Sequence, residues 1–537
     1  MRFGLTQAIT EPAIFFHPQM GHFSMYLDKL NALYFLGVGV VTPMVALYSR
    51  HYIGYKVEQL RREENDSQPL WLFYMPYTVF AASMFGFVLA TNLLFLYIFL
   101  NISMLTSFLL ILLFGHGERE HIAKLYLLWS FIGSGAFLLG VIGLGAYTGT
   151  FDILDLSTLQ LNIGLSKGLT ILVPFLIFFG MYIKKALFGC HIWLPHAHAE
   201  APAPVSAVLS ANLIGISGYV MIRVVLQTFP TQFEKMAPFF LVLAFTTMLY
   251  GGVNALAQDD LKRLLAYASV AQMGWVVFGI STMTPEGMMG GIILYLKHSL
   301  TLSVLFMGSG LLVAKYDGLR KISNMGELLK MHPILSILMI LSFLTFMGAP
   351  LTVGFWGKTL VFQGAINSPF LTGSIAPILA GIGIIFAAGI TLSYSFITVK
   401  RMFFGMFKGG SKPKKIGWIS STVPMAVLVS IGIFLFFVGG SIIQPLKKPS
   451  LSLEAIFLAG YVTAYFLFSG KLRYSLVFFS YTFENKLLDR VFHEKIPEKI
   501  QETGYAIRSI HSGDLSTYVL WTVIGIVFFM LGWFFIS

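Results

Sequence analysis

The stretch that decides the fold is Lys184–Pro204, which reads KKALFGCHIWLPHAHAEAPAP and joins two apolar runs. Its three prolines, Pro195, Pro202 and Pro204, lack the backbone N–H that a continuous helix needs. Two adjacent lysines precede them, although an ammonium near the bilayer centre costs roughly 2.5–3.5 kcal/mol. Non-helical backbone at membrane depth is tolerated only inside protein or beside a water-filled cavity. The stretch therefore predicts a broken membrane helix beside an ion pathway.

The composition is that of a protein that crosses a membrane many times. Apolar residues make up 56% of the chain, charged residues only 11%, and the mean hydropathy is +0.78. A net charge of +12 could indicate nucleic-acid binding, but the basic residues lie in short connections between apolar runs. There they determine topology, so we expect contact with the lipid bilayer and none with nucleic acid. The single cysteine, Cys190, excludes an internal disulfide.

Apolar runs long enough to cross the hydrocarbon core, at about 20 residues each, occur about fourteen times. They lie near 30–49, 70–90, 92–114, 122–147, 169–188, 203–228, 237–257, 262–281, 287–314, 333–366 (long and interrupted), 373–399, 416–439, 452–470 and 517–536. When sides alternate from run to run, most basic residues in the connections fall on one face. This bias predicts an all-α, multi-pass protein of the cell membrane, with both ends outside the cytoplasm.

The chain divides into four predicted regions: an N-terminal interfacial segment at 1–29, a first helix repeat region at 30–230, a second at 231–440, and C-terminal helices at 441–537. The first residues lack the basic-then-apolar order of a signal peptide, so we expect them to be retained. Residues 471–512 mix apolar and charged side chains around Pro497. We predict one or two amphipathic helices on the cytoplasmic surface there. A solvated loop is the alternative, and it would expose several phenylalanines.

Five basic residues fall inside predicted membrane helices: Lys184, Lys185, Arg223, Lys297 and Lys358. Burial favours the neutral amine of a lysine and a nearby carboxylate favours the ammonium, so a buried lysine can exchange protons. Lys184 is the strongest candidate, whereas Lys185 is expected to carry its charge to the headgroups.

A second broken helix is predicted at APLTVGFWGKTLVF, where Lys358 follows Pro350. Lys297 and His298 lie mid-helix in LYLKHSLTLS, and a histidine suits a relay because it titrates near neutrality. A hydrogen-bonded packing histidine is the alternative. We therefore predict an ion path through Lys184, Lys297, His298 and Lys358, with helix breaks supported by Pro195 and Pro350.

A metal site could be built from His191, His196, His198 and Glu200, but their spacing is irregular and the prolines forbid a single helical face. The sequence has no cysteine cluster for iron–sulfur ligation and no glycine-rich nucleotide loop after a strand. We expect no metal, no cofactor and no catalytic residue in this chain. Any redox chemistry would belong to its partners.

Three stretches resemble signatures of one family: HIWLPHAHAEAPAPVSAVLSA, LAQDDLKRLLAYASVAQMGW and GAPLTVGFWGK. The family is that of the antiporter-like subunits of respiratory complex I and Mrp-type cation/proton antiporters, and the resemblance covers roughly residues 28–415. Lys358 resembles the D-type Mrp and L-type complex I members. The tail, with SGDLSTYVLW after the amphipathic stretch, resembles L-type subunits and energy-converting membrane-bound hydrogenases or related ferredoxin-linked complexes.

The resemblance implies two inverted five-helix repeats, each with a broken helix and half of an ion channel. It also implies that Lys184 is the central lysine of the first half, His298 part of the connection and Lys358 the terminal lysine of the second. The implied partners are other membrane subunits, including further antiporter-like ones, and peripheral iron–sulfur redox subunits.

Three positions depart from the family pattern. Asn101 stands where a glutamate is usual, and Gly215 and Leu302 stand where lysines are common. A missing carboxylate removes an interaction that keeps a buried lysine charged. Two functions stay open: a subunit of a redox-driven proton or sodium pump, degenerate in its own path, and a structural spacer without conduction. A stand-alone cation/proton antiporter component is a third, and the predicted docking segment argues against it.

Overall fold

The computed structural model describes residues 9–10, 15–17, 21–64, 68–158, 169–371, 373, 375–409, 418–443 and 451–469. The predicted amphipathic segment at 471–512 and the apolar run near 517–536 lie outside these residues. Every other predicted run coincides with at least one helix. The prediction of an all-α, multi-pass membrane protein is therefore confirmed.

Eighteen α-helices and four short strands make up the regular structure of the described residues. The first nine helices are α1 (Lys29–Glu64), α2 (Trp71–Leu89), α3 (Leu93–Phe114), α4 (Arg119–Thr148), α5 (Ile153–Thr158), α6 (Leu169–Lys184), α7 (Trp193–Glu200), α8 (Ala203–Val208) and α9 (Ile214–Val220). The other nine are α10 (Pro230–Ala257), α11 (Leu261–Ser281), α12 (Pro285–Lys315), α13 (Leu328–Met331), α14 (Pro333–Met347), α15 (Val353–Ile366), α16 (Ala376–Phe404), α17 (Trp418–Ile443) and α18 (Leu451–Ser469). A 3₁₀ turn at Ile322–Asn324 precedes α13.

Ten helical rods in the described part of the chain are long and apolar enough to cross a membrane. Two further apolar helices, α6 and α14, are shorter because each ends at an interruption and is followed by a second half, α7 and α15 respectively. Each pair together exceeds the roughly 20 residues that a crossing requires. Two broken helices are thus present at the positions where the sequence predicts them.

The packing order of the helices repeats along the chain. α2 packs on α3, α3 on α4, and α4 on α6 and α7. In the second set, α10 packs on α11, α11 on α12, and α12 on α14 and α15. Each set has five crossings if a broken helix counts once, closing with the rod of α8 and α9 in the first and with α16 in the second. Because five is odd, the second set starts from the opposite side of the membrane, which makes the repeat inverted.

Three rods form the centre of the bundle. These are the rod at Ala203–Leu226, which contains α8 and α9, and the helices α11 and α12, and their apolar windows are completely buried. The other spanning helices keep half or more of their windows open to the surroundings. The Ala203–Leu226 rod contains two π-helical segments, Leu209–Leu213 and Met221–Leu226. A π-turn widens the helix and often marks a functional position.

The N-terminal strands hold the start of α1. β1 (Ile9–Thr10) pairs antiparallel with β4 (Tyr26–Leu27), and β2 (Phe15–His17) pairs with β3 (Gly21–Phe23). Asp28 then caps α1, since its Oδ1 accepts from the N–H groups of Leu30 and Asn31 at 2.9 Å. The Oδ1 of Asn31 accepts from the N–H of Asp28 at 2.7 Å, so the cap is reciprocal.

Candidate ion-translocation site

The first broken helix sets Lys184 at the end of α6. The chain then turns through Ala186 (φ 52°) and Gly189 (φ 87°) before α7 begins at Trp193. Pro195 is not in this break: it occupies the first turn of α7, where a missing N–H costs no helical hydrogen bond. The expectation that Pro195 supports the break is therefore corrected, since the left-handed residues at Ala186 and Gly189 make the turn.

Lys184 is buried, and its Nζ has no hydrogen-bond partner among the described residues. Asn101, where the sequence resemblance leads us to expect a glutamate, lies on α3, and its side chain forms no hydrogen bond with Lys184. The Nδ2 of Asn101 instead donates to the carbonyl oxygen of Tyr97, one turn back on its own helix, at 2.8 Å. Asn101 thus satisfies itself locally and leaves Lys184 without the partner that the family pattern would supply.

Lys185 points into the bundle, so the expectation that it snorkels to the headgroups is wrong. Its side chain is fully buried, and its Nζ donates to the carbonyl oxygens of Ile214 (3.3 Å) and Gly215 (3.2 Å). The Sδ of Met273 lies 3.5 Å away. Gly215 itself has no room for a side chain, because a Cβ there would lie 2.2 Å from Cε2 of Tyr295. A cation from the neighbouring helix therefore occupies the place next to Gly215.

His298 lies buried at the middle of α12. Its Nε2 is 3.2 Å from Oγ of Ser210, which in turn is 3.0 Å from Oγ of Ser269. Its Nδ1 has no partner among the described residues. Leu302, one turn further along α12, is a buried apolar residue. His298 therefore connects the π-helical segment to α12 through hydroxyl groups, as a relay position requires.

Lys297 and Lys358 lie at the second broken helix. The Nζ of Lys297 donates to Oε1 of Gln272 at 2.6 Å and to the carbonyl oxygen of Phe346 at 3.1 Å. The Nζ of Lys358 donates to the carbonyl oxygen of Met347, the last residue of α14, at 2.7 Å. Lys358, which belongs to α15, thus bridges the break and satisfies a carbonyl that the end of α14 leaves free.

Pro350 lies in this second break, between α14 and α15. The turn contains Gly348 (φ 78°) and Leu351 (φ 64°), and Lys358 contacts it from the next helix. Two rings flank the Lys358 ammonium, with centroids 5.2 Å away for Trp275 and 5.5 Å for Tyr461. Pro350 therefore lies within a break between two helices, whereas Pro195 lies inside a helix.

Helix α11 contacts nearly all of these groups. It contributes Ser269 to the His298 link, Gln272 to Lys297, Met273 to Lys185 and Trp275 to Lys358. All four residues belong to the family motif quoted above, yet the sequence alone gave no reason to single them out. All four contacts come from one helix, so α11 is the shared wall of the row.

The four buried lysines of the row are Lys184, Lys185, Lys297 and Lys358, and none of them forms an ion pair with a residue in the described ranges. Within those ranges, Arg223 and Asp28 form an ion pair in which both side chains are fully buried. An unpaired buried ammonium is costly, and intramembrane ionisable groups that persist without a counter-charge mark ion or proton paths.

A basic cluster closes the end of the first broken helix on the opposite side from Asp28. The Nζ of Lys56 lies 2.8 Å from Nδ1 of His116, and Nζ of Lys262 donates to the carbonyl oxygen of Ala201 at 2.6 Å. The backbone N–H of His116 donates to the carbonyl oxygen of Glu200 at 2.8 Å.

His116 lies in the connection between α3 and α4. Burial, and then the charges of Lys262, Lys56, Arg320 and Arg119, hold the pKa of its imidazole well below the ordinary value. Because an ammonium can only donate, the Nδ1 that faces Lys56 accepts, which agrees with a neutral ring.

The histidines of the broken stretch do not come together as a metal site. His191 packs against the ring of Tyr250, with centroids 4.8 Å apart, whereas His198 packs against Phe306 at 5.0 Å. No group of three or more metal-ligating side chains lies together in the part of the chain that the structure describes. His191 and His198 are instead directed to rings on different helices.

Comparison with known proteins gives the family. Residues 90–386 match the family described as "NADH:quinone oxidoreductase/Mrp antiporter, TM". The chain is 31% identical over 398 residues, 72% of its length, to NAD(P)H-quinone oxidoreductase chain 4-2 of Synechocystis sp.. It is 29% identical to a putative antiporter subunit mnhA2 of Staphylococcus saprophyticus, in an alignment of 541 positions that covers 93% of this chain. Each match covers 66% of the relative's length.

The fold is also similar to that of one chain in a solved complex. A chain of respiratory complex I from Thermus thermophilus matches with a TM-score of 0.69 and 24% identity, covering 86% of this chain and 90% of that one. At this identity the likeness concerns the fold. Together with the match of residues 90–386, it shows that the chain belongs to the family of antiporter-like membrane subunits shared by NADH:quinone oxidoreductases and Mrp antiporters.

Proposed function

We propose that this chain translocates protons as an antiporter-like subunit of a multisubunit, redox-driven membrane complex. The observation that carries the proposal is the row of buried basic side chains that faces α11. Four unpaired lysines in the described interior of one bundle are a costly arrangement if stability alone is served. A proton path gives each of them a use, because a lysine or histidine can hold and release a proton.

The row runs between the two broken helices. Lys184 and Lys185 lie at the first, and Lys297 and Lys358 lie at the second. His298, which lies on α12 like Lys297, contacts Ser210 of the central rod. Waters would have to complete the steps between these groups, since no unbroken chain of hydrogen bonds among the described residues joins all of them.

Protons suit this row better than sodium ions. A sodium site needs several oxygen ligands around the cation, as hard cations do in general. In the row, the carbonyl oxygens and the amide oxygen of Gln272 are instead bonded to lysine side chains, beside an imidazole and single hydroxyls. Ammonium groups would repel a metal cation in a low-dielectric interior, but they can pass a proton on.

The proposed partners are other membrane subunits, among them further antiporter-like ones, and peripheral iron–sulfur subunits that supply the redox chemistry. Support comes from the relatives, whose names describe quinone oxidoreductase chains and an antiporter subunit. A single cysteine leaves this chain unable to bind a four-cysteine cluster by itself. We propose an energy-converting hydrogenase or a related ferredoxin-linked complex as the host.

A structural spacer without conduction is the second candidate, and one observation favours it. The Nζ of Lys184 has no partner among the described residues, and Asn101 is bonded within its own helix. A first half-channel without a carboxylate would move protons slowly, while the fold and its neighbours' contacts would be preserved.

The test begins with purification of the native complex through an affinity tag on this chain, with identification of the copurifying subunits. The complex is then placed in vesicles, and proton pumping is measured while the redox subunits turn over. Lys358→Met should lower the protons pumped per electron, by at most the share of this subunit, and Lys330→Met, a change at an exposed lysine of the surface, should not. Recovery without redox subunits, or full pumping by Lys358→Met, would contradict the proposal.

A further inference from the structure

Lys185 is a buried cation that the sequence pattern does not explain. It adjoins Lys184 in sequence, yet its Nζ contacts a different helix, at the carbonyl oxygens of Ile214 and Gly215. These carbonyls lie between the two π-helical segments, where the helix is locally widened. No carboxylate in the described ranges pairs with Lys185. Its surroundings therefore hold the amine in place without fixing its charge.

Gly218 lies beside both Lys185 and a tyrosine hydroxyl that has no hydrogen-bond partner. The Oη of Tyr34 is fully buried and unpartnered among the described residues. A Cβ built on Gly218 would lie 3.1 Å from this Oη and 3.3 Å from Nζ of Lys185, so both polar atoms press against the position of the missing side chain. Because they approach one point, a single water molecule can bridge them.

From Tyr34 the polar groups continue toward the start of α1. The ring of Tyr34 packs against that of Tyr219, with centroids 5.7 Å apart. The Oη of Tyr219 and the Oη of Tyr26 are 2.5 Å apart. The guanidinium of Arg223 lies 5.6 Å from the centroid of the Tyr26 ring and bonds to the carboxylate of Asp28. We call Tyr26, Tyr34 and Tyr219 the tyrosine cluster.

The tyrosine cluster leads away from the face that carries the basic cluster of Lys56, His116 and Lys262. Asp28 caps the N-terminal end of α1, whereas Arg61 and Arg62 lie in its last turn, at the other end. Arg223 lies near the end of the Ala203–Leu226 rod, whose start is near Lys262. The cluster therefore runs from the bundle interior to the face opposite the basic one. There the buried Asp28–Arg223 pair closes it.

We propose that Lys185 carries protons and that the tyrosine cluster, with water at Gly218, gives it an exit of its own toward the Asp28–Arg223 pair. This inference rests on the proposed function and adds to it a route that leaves the bundle without passing Lys358. The Asp28–Arg223 pair is the closed gate of this route.

The transfer step conserves charge and atoms. An N–H bond of the Lys185 ammonium breaks, its electron pair stays on Nζ, and the proton passes to the water beside Gly218. That water delivers a proton to Oη of Tyr34, and a second water carries a proton on to the hydroxyls of Tyr219 and Tyr26, since no hydrogen bond joins Tyr34 to Tyr219 in the described structure. A proton that arrives from the Lys184 side then rebuilds the ammonium, so neither oxidant nor reductant is involved.

The experiment measures redox-driven proton pumping by the native complex in vesicles, with variants of this chain. Lys185→Arg keeps the charge and the donors to Ile214 and Gly215 but cannot release a proton at any ordinary pH. Gly218→Ala puts a methyl group between Oη of Tyr34 and Nζ of Lys185, where it excludes a bridging water. Alanine is also favoured over glycine in a helix. The matched control is Gly135→Ala, at a helical glycine whose Cβ would meet nothing within 4 Å.

We expect Lys185→Arg to remove most of this subunit's share of the protons pumped per electron, since a positioned proton donor typically contributes at least about a hundredfold to the rate of proton transfer. Gly218→Ala should lower that share several-fold, and Gly135→Ala should leave it unchanged. Lys185→Arg pumping like the parent would assign Lys185 a structural role and overturn the inference. So would a Gly218→Ala variant that matches Gly135→Ala.

A third variant separates this inference from the function on which it rests. If Lys184→Met pumps poorly while the Lys185 and Gly218 variants pump normally, the proposed function stands and the exit route falls. If all of these variants pump normally, the proposed function itself falls. Should Lys185→Arg fail to assemble, Gly218→Ala decides, because it leaves every charged group in place.

Discussion

The Asp28→Asn variant should lose about 3–5 kcal/mol of unfolding free energy, because it removes the counter-charge of a guanidinium that is fully buried. Asparagine is as good a helix cap as aspartate, so the cap of α1 would be kept. Asp28→Ala removes the cap as well, and it should cost about 1 kcal/mol more. The difference between the two variants therefore separates the ion pair from the cap.

The double variant Asp28→Asn with Arg223→Met supplies the control. Replacing both partners of a buried pair by groups without charge is often neutral or stabilising, so most of the lost stability should return. The assay is unfolding of the purified chain from detergent micelles by titration with a denaturing detergent. An Asp28→Asn variant as stable as the parent would refute the reasoning, as would a double variant no more stable than the single one.

Two further predictions concern stability. The folded state holds the pKa of His116 well below its ordinary value, so from about pH 6.5 downward the unfolded chain binds a proton that the folded chain does not. The free energy of unfolding should therefore fall as the pH drops from 7.5 to 5.5, by up to about 1.4 kcal/mol per pH unit. His116→Asn keeps an acceptor for Lys56 and should flatten this pH dependence. An unchanged slope in this variant would contradict the prediction. Gly215→Ala should cost about 1–3 kcal/mol because its Cβ would lie 2.2 Å from Tyr295, whereas Gly135→Ala should cost nothing; equal midpoints in the same titration would show that the bundle yields at Tyr295.

The sequence predicts the helices well because apolar runs of membrane-spanning length have few alternatives in a bilayer. It also predicts two broken helices, since Lys184 and Lys358 each lie beside residues that loosen a helix. The agent of the first break is different from the one expected. Pro195 lies in the first turn of α7, and the left-handed residues Ala186 and Gly189 make the break. An alanine in that conformation gives no signal in the sequence.

The direction of Lys185 could not be predicted from the sequence. A lysine next to a helix end usually reaches for the headgroups, and only the tertiary packing shows carbonyls within its reach. Those carbonyls are those of Ile214 and Gly215, next to π-turns that no local pattern foretells. The family resemblance leads us to expect a lysine at Gly215, but the sequence gives no hint that Lys185 of the neighbouring helix supplies a cation there.

The four residues through which α11 contacts the row were present in a quoted motif, but long-range contacts decide their roles. Gln272 on a membrane helix is ordinary as a packing residue until its oxygen is seen 2.6 Å from Nζ of Lys297. Arg223 likewise lies in a predicted helix without an assigned partner. Asp28, which pairs with it, is 195 residues away in sequence.

The central claim is that the buried basic row carries protons, and the number of protons pumped per electron tests it most directly. The complex that carries Lys184→Met together with Lys358→Met, purified through the tagged chain and placed in vesicles, should transfer electrons with proton pumping reduced by this subunit's share. Unchanged protons per electron in a fully assembled complex would mean that the row does not conduct, and the chain would then be a structural spacer.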